Sequence, residues 1–149
     1  MREAINEGYK AALKARDQRR TATLRAINAA IKDKDIAARG EGKGPLSNEE
    51  ILALLQKMVK QREESFEIYA QAGRNDLATV EKEEIDILNE FLPKALTDAE
   101  VEDAIKAAIA KTGAAGAKDM GKVIASLKAD YPGRIDFGKA SGKVKAALA

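Results

Sequence analysis

The chain has 149 residues and contains neither cysteine nor histidine. The first absence removes disulfides and thiolate nucleophiles. The second removes the commonest general base and the commonest metal ligand. Tryptophan is also missing, and aromatic residues make up only 4% of the chain, so there is little to favour strands or to stack on unpaired bases. No apolar run approaches the roughly 18 residues that a membrane-crossing helix needs. The first thirty residues carry charges throughout and lack the apolar centre of a secretory signal. A cytoplasmic location without membrane contact is the expectation.

What is present points to helix. Alanine occurs 29 times and is the strongest helix former. Apolar residues are 45% and charged residues 34%, the balance of a globular domain large enough to bury a core. The apolar spacing is three to four residues nearly everywhere, with no alternating strand pattern. Ile5, Tyr9, Ala12 and Leu13 form a first short face. Asp17 caps a second helix with the stripe Leu24, Ile27 and Ile31, which ends in the glycine-rich "ARGEGKGPLSN". Ser47 and Glu50 form a capping box before a long helix carrying Ile51, Leu55, Met58, Arg62, Phe66 and Tyr69. Gly73 closes that helix in a left-handed conformation. Asn75 begins the next, with Leu77, Val80, Ile85, Leu88 and Leu92 facing inward.

Pro93 ends the fourth helix, and a second capping box, Thr97 and Glu100, begins the fifth with Val101, Ile105 and Ile109. "GAAGAK" is a small-residue hinge. Asp119 is the expected cap of a helix with Met120, Val123, Ile124 and Leu127, and Asp136 of a last one with Phe137, Ala140, Val144 and Leu148. The expected fold is all-α, with an N-terminal four-helix part over residues 1–93 and a C-terminal three-helix bundle over 96–149.

Charge is uneven along the chain although its net is only +2. Residues 1–46 hold eleven basic and six acidic side chains, residues 47–92 five and eleven, and residues 93–149 ten and seven. Either the two basic ends present anion-binding faces, or the basic N-terminal helices pair with the acidic middle ones.

Chemistry-bearing motifs are few. Gly133–Lys139 reads G-R-I-D-F-G-K, one residue short of the phosphate-binding loop G-x-x-x-x-G-K-[ST], with Ala140 where the hydroxyl belongs. That loop needs a buried strand before it and a metal-side carboxylate; the preceding "VIASLKADYPG" has helical spacing instead. Gly133 is better read as a turn residue and Asp136 as a helix cap, so no nucleotide cofactor is expected. Carboxylates gather at Glu63, Glu64 and Glu67 and at Glu81, Glu83, Glu84 and Asp86, mostly off the apolar stripes, which suits a solvated face rather than a metal site. The four serines, Ser47, Ser65, Ser126 and Ser141, lack a nucleophile-elbow context. No catalytic residue, metal or cofactor is expected.

Four segments, "LRAINAAIKDKDIAARG", "EEILALLQKMVKQREESFEIYAQAGRNDLATVEKEEI", "EFLPKALTDAEVEDAI" and "KDMGKVIASLKADYPGRIDFGKASGKVKAAL", resemble the YqeY family over essentially the whole chain. The same fold forms the C-terminal tail of GatB, a subunit of the glutamine-dependent tRNA amidotransferase. The resemblance implies an all-helical accessory protein that binds tRNA, with Lys122, Lys128, Arg134, Lys139 and Lys143 as candidate RNA contacts. It also implies partners among amidotransferase or aminoacyl-tRNA synthetase components. A carbon–nitrogen ligase label would be inherited from that likeness alone, since the catalytic cradle of GatB is absent. The alternative is a helix-docking module that binds protein and no RNA.

Overall fold

Helix fills the computed structural model, which describes residues 1–149, and no strand forms. Four helices, α1 (Arg2–Ala15), α2 (Gln18–Gly40), α3 (Asn48–Gln71) and α4 (Asn75–Asn89), make up the compact unit Met1–Leu92. Three more, α5 (Asp98–Thr112), α6 (Met120–Asp130) and α7 (Phe137–Leu148), with a short 3₁₀ turn at Ala117–Asp119, make up the unit Pro93–Ala149. No helix is long and apolar enough to cross a membrane.

In the N-terminal unit, short corners set neighbours side by side. Arg16 takes a left-handed conformation (φ 56°), so the chain leaves α1 and enters α2 within two residues. Asp17 then caps α2 by accepting the Arg20 N–H at 3.1 Å, as its sequence position indicates. Ser47 and Glu50 close the reciprocal box at the start of α3. Gly73, at φ 72°, ends α3 and lets the Arg74 N–H reach the Tyr69 carbonyl at 2.9 Å. The core joins Ile5 and Ala12 of α1, Leu24, Ile27 and Ile31 of α2, Ile51, Leu55 and Met58 of α3, and Leu88 of α4. Leu13 departs from the expected face. It is 47% exposed, because Ile5 and Ala12, seven residues apart, already fill the line of α1 that meets α2.

Basic α2 and acidic α4 do pair. Arg19 Nε donates to Glu83 Oε2 at 3.0 Å, and Arg20 bonds Glu90. Arg2 makes a two-pronged bond to Asp35 at 2.7 Å per prong, and Asp35 also accepts the Leu46 N–H, which ties the glycine-rich loop to α2. These bonds hold the Asp35 carboxyl down at about 2. Between α3 and α4, Arg62 donates to Glu84 at 2.8 Å and to the Met58 carbonyl. Glu84 and its neighbour Glu81 are partly buried, exceptions on the mostly solvated acidic face. Burial, and then the Glu84 charge, push Glu81 above the usual carboxylate range.

The C-terminal unit packs α5, α6 and α7 around Val101, Ala104, Ile105, Ala108, Val123, Leu127, Ile135, Ala140 and Val144. The Thr97–Glu100 box opens α5, and Gly113, at φ 69°, closes it. Asp136 caps α7 through the Gly138 N–H at 2.9 Å. Asp119 does not cap α6: a 3₁₀ turn runs into the helix, and the carboxylate accepts the Ala115 N–H upstream at 3.0 Å. Around the G-x-x-x-x-G-K near-match, Gly133 sits in a turn at φ 75° and Ala140 is 2% exposed in the core. A hydroxyl added at Ala140 would point into packed side chains and away from any phosphate.

Candidate functional site

The five cations singled out in the C-terminal unit occupy different structural settings. Lys122 stands in the first turn of α6, 68% exposed, with its ammonium 3.7 Å from Asp119. Lys128 lies six residues further along α6, about 9 Å down the axis and on another side of the helix. Its ammonium sits 5.4 Å above the Phe137 ring at the start of α7. Lys139 and Lys143 are one turn apart on the same side of α7. Lys143 approaches Asp98, in the first turn of α5, at 3.5 Å. Lys139 is exposed and makes no ion pair.

Arg134 has a different occupation. Its Nε donates to the Lys94 carbonyl at 2.9 Å, and its own carbonyl accepts the Leu96 N–H, also at 2.9 Å. The side chain thus fastens the segment after Pro93 against the bundle. Nothing in its sequence position marks this, because the partners lie forty residues away. Glu100 is held below its usual range first by the Thr97 N–H and then by the Thr97 hydroxyl, with Arg134 and Lys94 adding to the same direction.

The balance of charge in this part of the chain is positive. Residues 120–148 hold six cations (Lys122, Lys128, Arg134, Lys139, Lys143, Lys145) and two carboxylates, Asp130 and Asp136. Helix α7 carries three lysines and no acidic residue. Two of the four serine hydroxyls are spent locally: Ser47 in its cap, and Ser141 donating to the Phe137 carbonyl at 2.6 Å. Ser126 Oγ is buried without a partner. No group of three acidic side chains is placed to hold a metal ion.

The family model described as Yqey-like protein matches residues 2–148. The chain belongs to this family. Among curated proteins, it is similar to "Altered inheritance of mitochondria protein 41, mitochondrial" of Lachancea thermotolerans, 31% identical over 98 residues, covering 66% of this chain and 51% of the relative. The protein of the same name from Eremothecium gossypii is 30% identical over 88 residues, covering 59% and 46%. That from Saccharomyces cerevisiae is 27% identical over 93 residues, covering 62% and 49%. The Yqey-like chain thus spans about half the length of the curated relatives it matches, whose names place those proteins in mitochondria.

Proposed function

We propose that this Yqey-like protein is a helical accessory module that binds structured RNA, tRNA in the first instance, through the α6–α7 side of its C-terminal unit, and that it carries out no reaction there. The observation that carries this reading is the composition of α7, with three lysines and no carboxylate. Lys139 is unpaired, and the contacts of Lys122 and Lys143 are long, each with one largely exposed end, the Lys122 ammonium and the Asp98 carboxylate. Exposed pairs of that kind contribute little, so a phosphate competes for these lysines at small cost. With few aromatics the recognition rests on phosphate contacts and on the shape of the RNA. The GatB likeness adds tRNA and the amidotransferase or synthetase machinery as proposed context. A chain without cysteine suits a reducing compartment, and the cytoplasm is the compartment proposed.

Fluorescence anisotropy with labelled tRNA at two salt concentrations tests this. Binding is expected in the micromolar range at physiological salt, and about three neutralised phosphates should give a log–log salt slope of about −3. Reversing Lys122, Lys128, Lys139 and Lys143 together to Glu should abolish it. Arg134 is left intact because its guanidinium holds the Lys94 carbonyl. Equal binding by wild type and the quadruple variant would overturn the RNA reading.

A further inference from the structure

One helix face in the N-terminal unit is built for contact and has nothing on it. Ala22, Ala29 and Ile36 of α2 are seven residues apart, and so are Arg25, Lys32 and Arg39, three positions behind them. The two rows lie side by side with the three-and-four spacing of a helix-pairing seam. All six residues are exposed, because the core is met from the opposite side, by Leu24, Ile27 and Ile31. Ile36 is 56% exposed, a large aliphatic side chain in the middle of a solvent face. None of the three cations makes an ion pair. Arg25 makes a long hydrogen bond to the Tyr9 hydroxyl, at 3.4 Å, and its guanidinium lies 6.0 Å from the centre of the Tyr9 ring, while Arg39 helps lower the Asp35 carboxyl without bonding it.

At its N-terminal end the face opens into a shallow groove of about 450 Å³, lined by Leu13, Arg16, Gln18, Thr21, Ala22 and Arg25. The lining includes two arginines, one of the few exposed large aliphatics, Leu13, and no carboxylate. The acidic residues of α2 are Asp35, held by Arg2 and the Leu46 N–H, and Asp33, exposed four residues after Ala29 and bordering the alanine row on the side away from the cations.

We infer that this face is a docking surface for an acidic amphipathic helix of a partner protein. Such a helix would present carboxylates at seven-residue intervals to Arg25, Lys32 and Arg39, and an aliphatic side chain to the groove beside Leu13. The repeat decides between occupants. Seven residues of helix rise about 10.5 Å, so carboxylates on a second helix match the cation row in step. The alanines of the adjoining row let the two backbones approach closely, and Ile36 gains an apolar neighbour. Phosphate contacts would use the cations but would leave Ile36 and Leu13 without a purpose. None of its residues is among the proposed RNA contacts of α6 and α7.

The test uses the full chain and a labelled 21-residue helical peptide with Glu every seven residues and Leu at the intervening seam positions. A second peptide carries Lys in place of each Glu. Micromolar binding of the acidic peptide is expected, with none of the Lys peptide. Combined Arg25→Glu, Lys32→Glu and Arg39→Glu should weaken the acidic peptide by about a hundredfold and confer binding of the Lys peptide. Ile36→Ser should weaken the acidic peptide by about tenfold with charges untouched. All these positions are exposed, so the variants should keep the wild-type helical circular dichroism. Equal peptide binding by wild type and the triple variant would overturn the inference. So would loss of tRNA binding in the triple variant with peptide binding unchanged, which would make the face an RNA surface. A dimer seen by analytical ultracentrifugation in the wild type and lost in the triple variant would overturn it in favour of a second copy.

Discussion

The N-terminal unit fills its centre mainly with long apolar side chains and buries two alanines, Ala12 and Ala78, whereas the C-terminal unit fills its own with three valines and three alanines among nine residues. The clamps differ in the same sense. Arginine-to-carboxylate bonds join α1 to α2, α2 to α4 and α3 to α4. In the C-terminal unit the ion pairs are lysine contacts of 3.4 to 3.7 Å, and the short polar bonds are caps and the Arg134 fastening. A small core of short side chains brings helices close but buries little area per residue. The first unit adds cross-helix arginine bonds to its core, whereas the second relies on its smaller side chains and on the caps at its helix ends.

The sharpest way to break that comparison is to cut a hole in each centre. Leu24→Ala should cost about 3 kcal/mol and Val123→Ala about 2 kcal/mol, since both positions are fully buried. Urea unfolding followed by circular dichroism should show two transitions, each moved by its own variant. If both substitutions shift a single transition, the chain unfolds as one cooperative body.

Next in size is the clamp between α3 and α4. Arg62 and Glu84 have side chains only 18% and 19% exposed, so Arg62→Ala leaves a carboxylate partly buried without its partner, at about 2 kcal/mol. Arg62→Met with Glu84→Leu should recover most of that loss. Lys143→Ala, which removes an exposed pair in the other unit, should move the midpoint by less than about 0.5 kcal/mol. Midpoints that fall equally for Arg62→Ala and Lys143→Ala would remove the distinction.

Acid separates the units more gently. Asp35 is ionised far more readily folded than unfolded, at about 2. Its contribution is complete above the ordinary carboxylate pKa of about 4 and is lost as pH falls toward 2. Glu81 works the other way: raised by burial, it favours the fold below the ordinary carboxylate range and loses that contribution as pH rises through its folded value. Asp35→Asn should flatten the fall in melting temperature of the N-terminal unit between pH 4 and pH 2, a range set by these pKa values. An unchanged acid limb would show that the Arg2 clamp is idle.

The smallest effect expected is a gain. In α7 a Cβ at Gly142 would meet nothing within 4 Å, so Gly142→Ala should stabilise by about 0.8 kcal/mol through helix propensity. Gly8 in α1 is different, because a Cβ there would meet Phe91 Cζ at 3.3 Å. Gly8→Ala should therefore gain less, and equal gains in the melting temperature would mean that Phe91 yields freely.

Most of the fold was legible because its signals are local. The caps at Asp17, Ser47, Thr97 and Asp136 and the stripes of α2 and α5 depend on residues three or four apart. Asp119 was misread because the 3₁₀ turn before it changed which N–H the carboxylate could reach. The pairing of basic and acidic helices was visible as charge, but its partners were not, since Glu83 and Glu90 meet Arg19 and Arg20 only after tertiary packing sets the register. For the candidate site, the lysine-rich α7 was readable from composition. The fastening role of Arg134 was not, and the α2 seam escaped notice because apolar spacing directs attention to the buried face.

The bonds between α2 and α4 also bear on the order in which the chain folds. Arg19 and Glu83 are 64 residues apart, and Arg20 and Glu90 are 70 apart, while α1 meets α2 across a two-residue corner and α3 meets α4 across the Gly73 turn. Two helical hairpins can close quickly from near neighbours, and the long-separation arginine pairs form once the hairpins dock. Interactions absent from the transition state act on the escape rate. Removing Arg19 and Arg20 should therefore speed the opening of the N-terminal unit, by the modest amount exposed pairs allow, and leave its assembly rate unchanged.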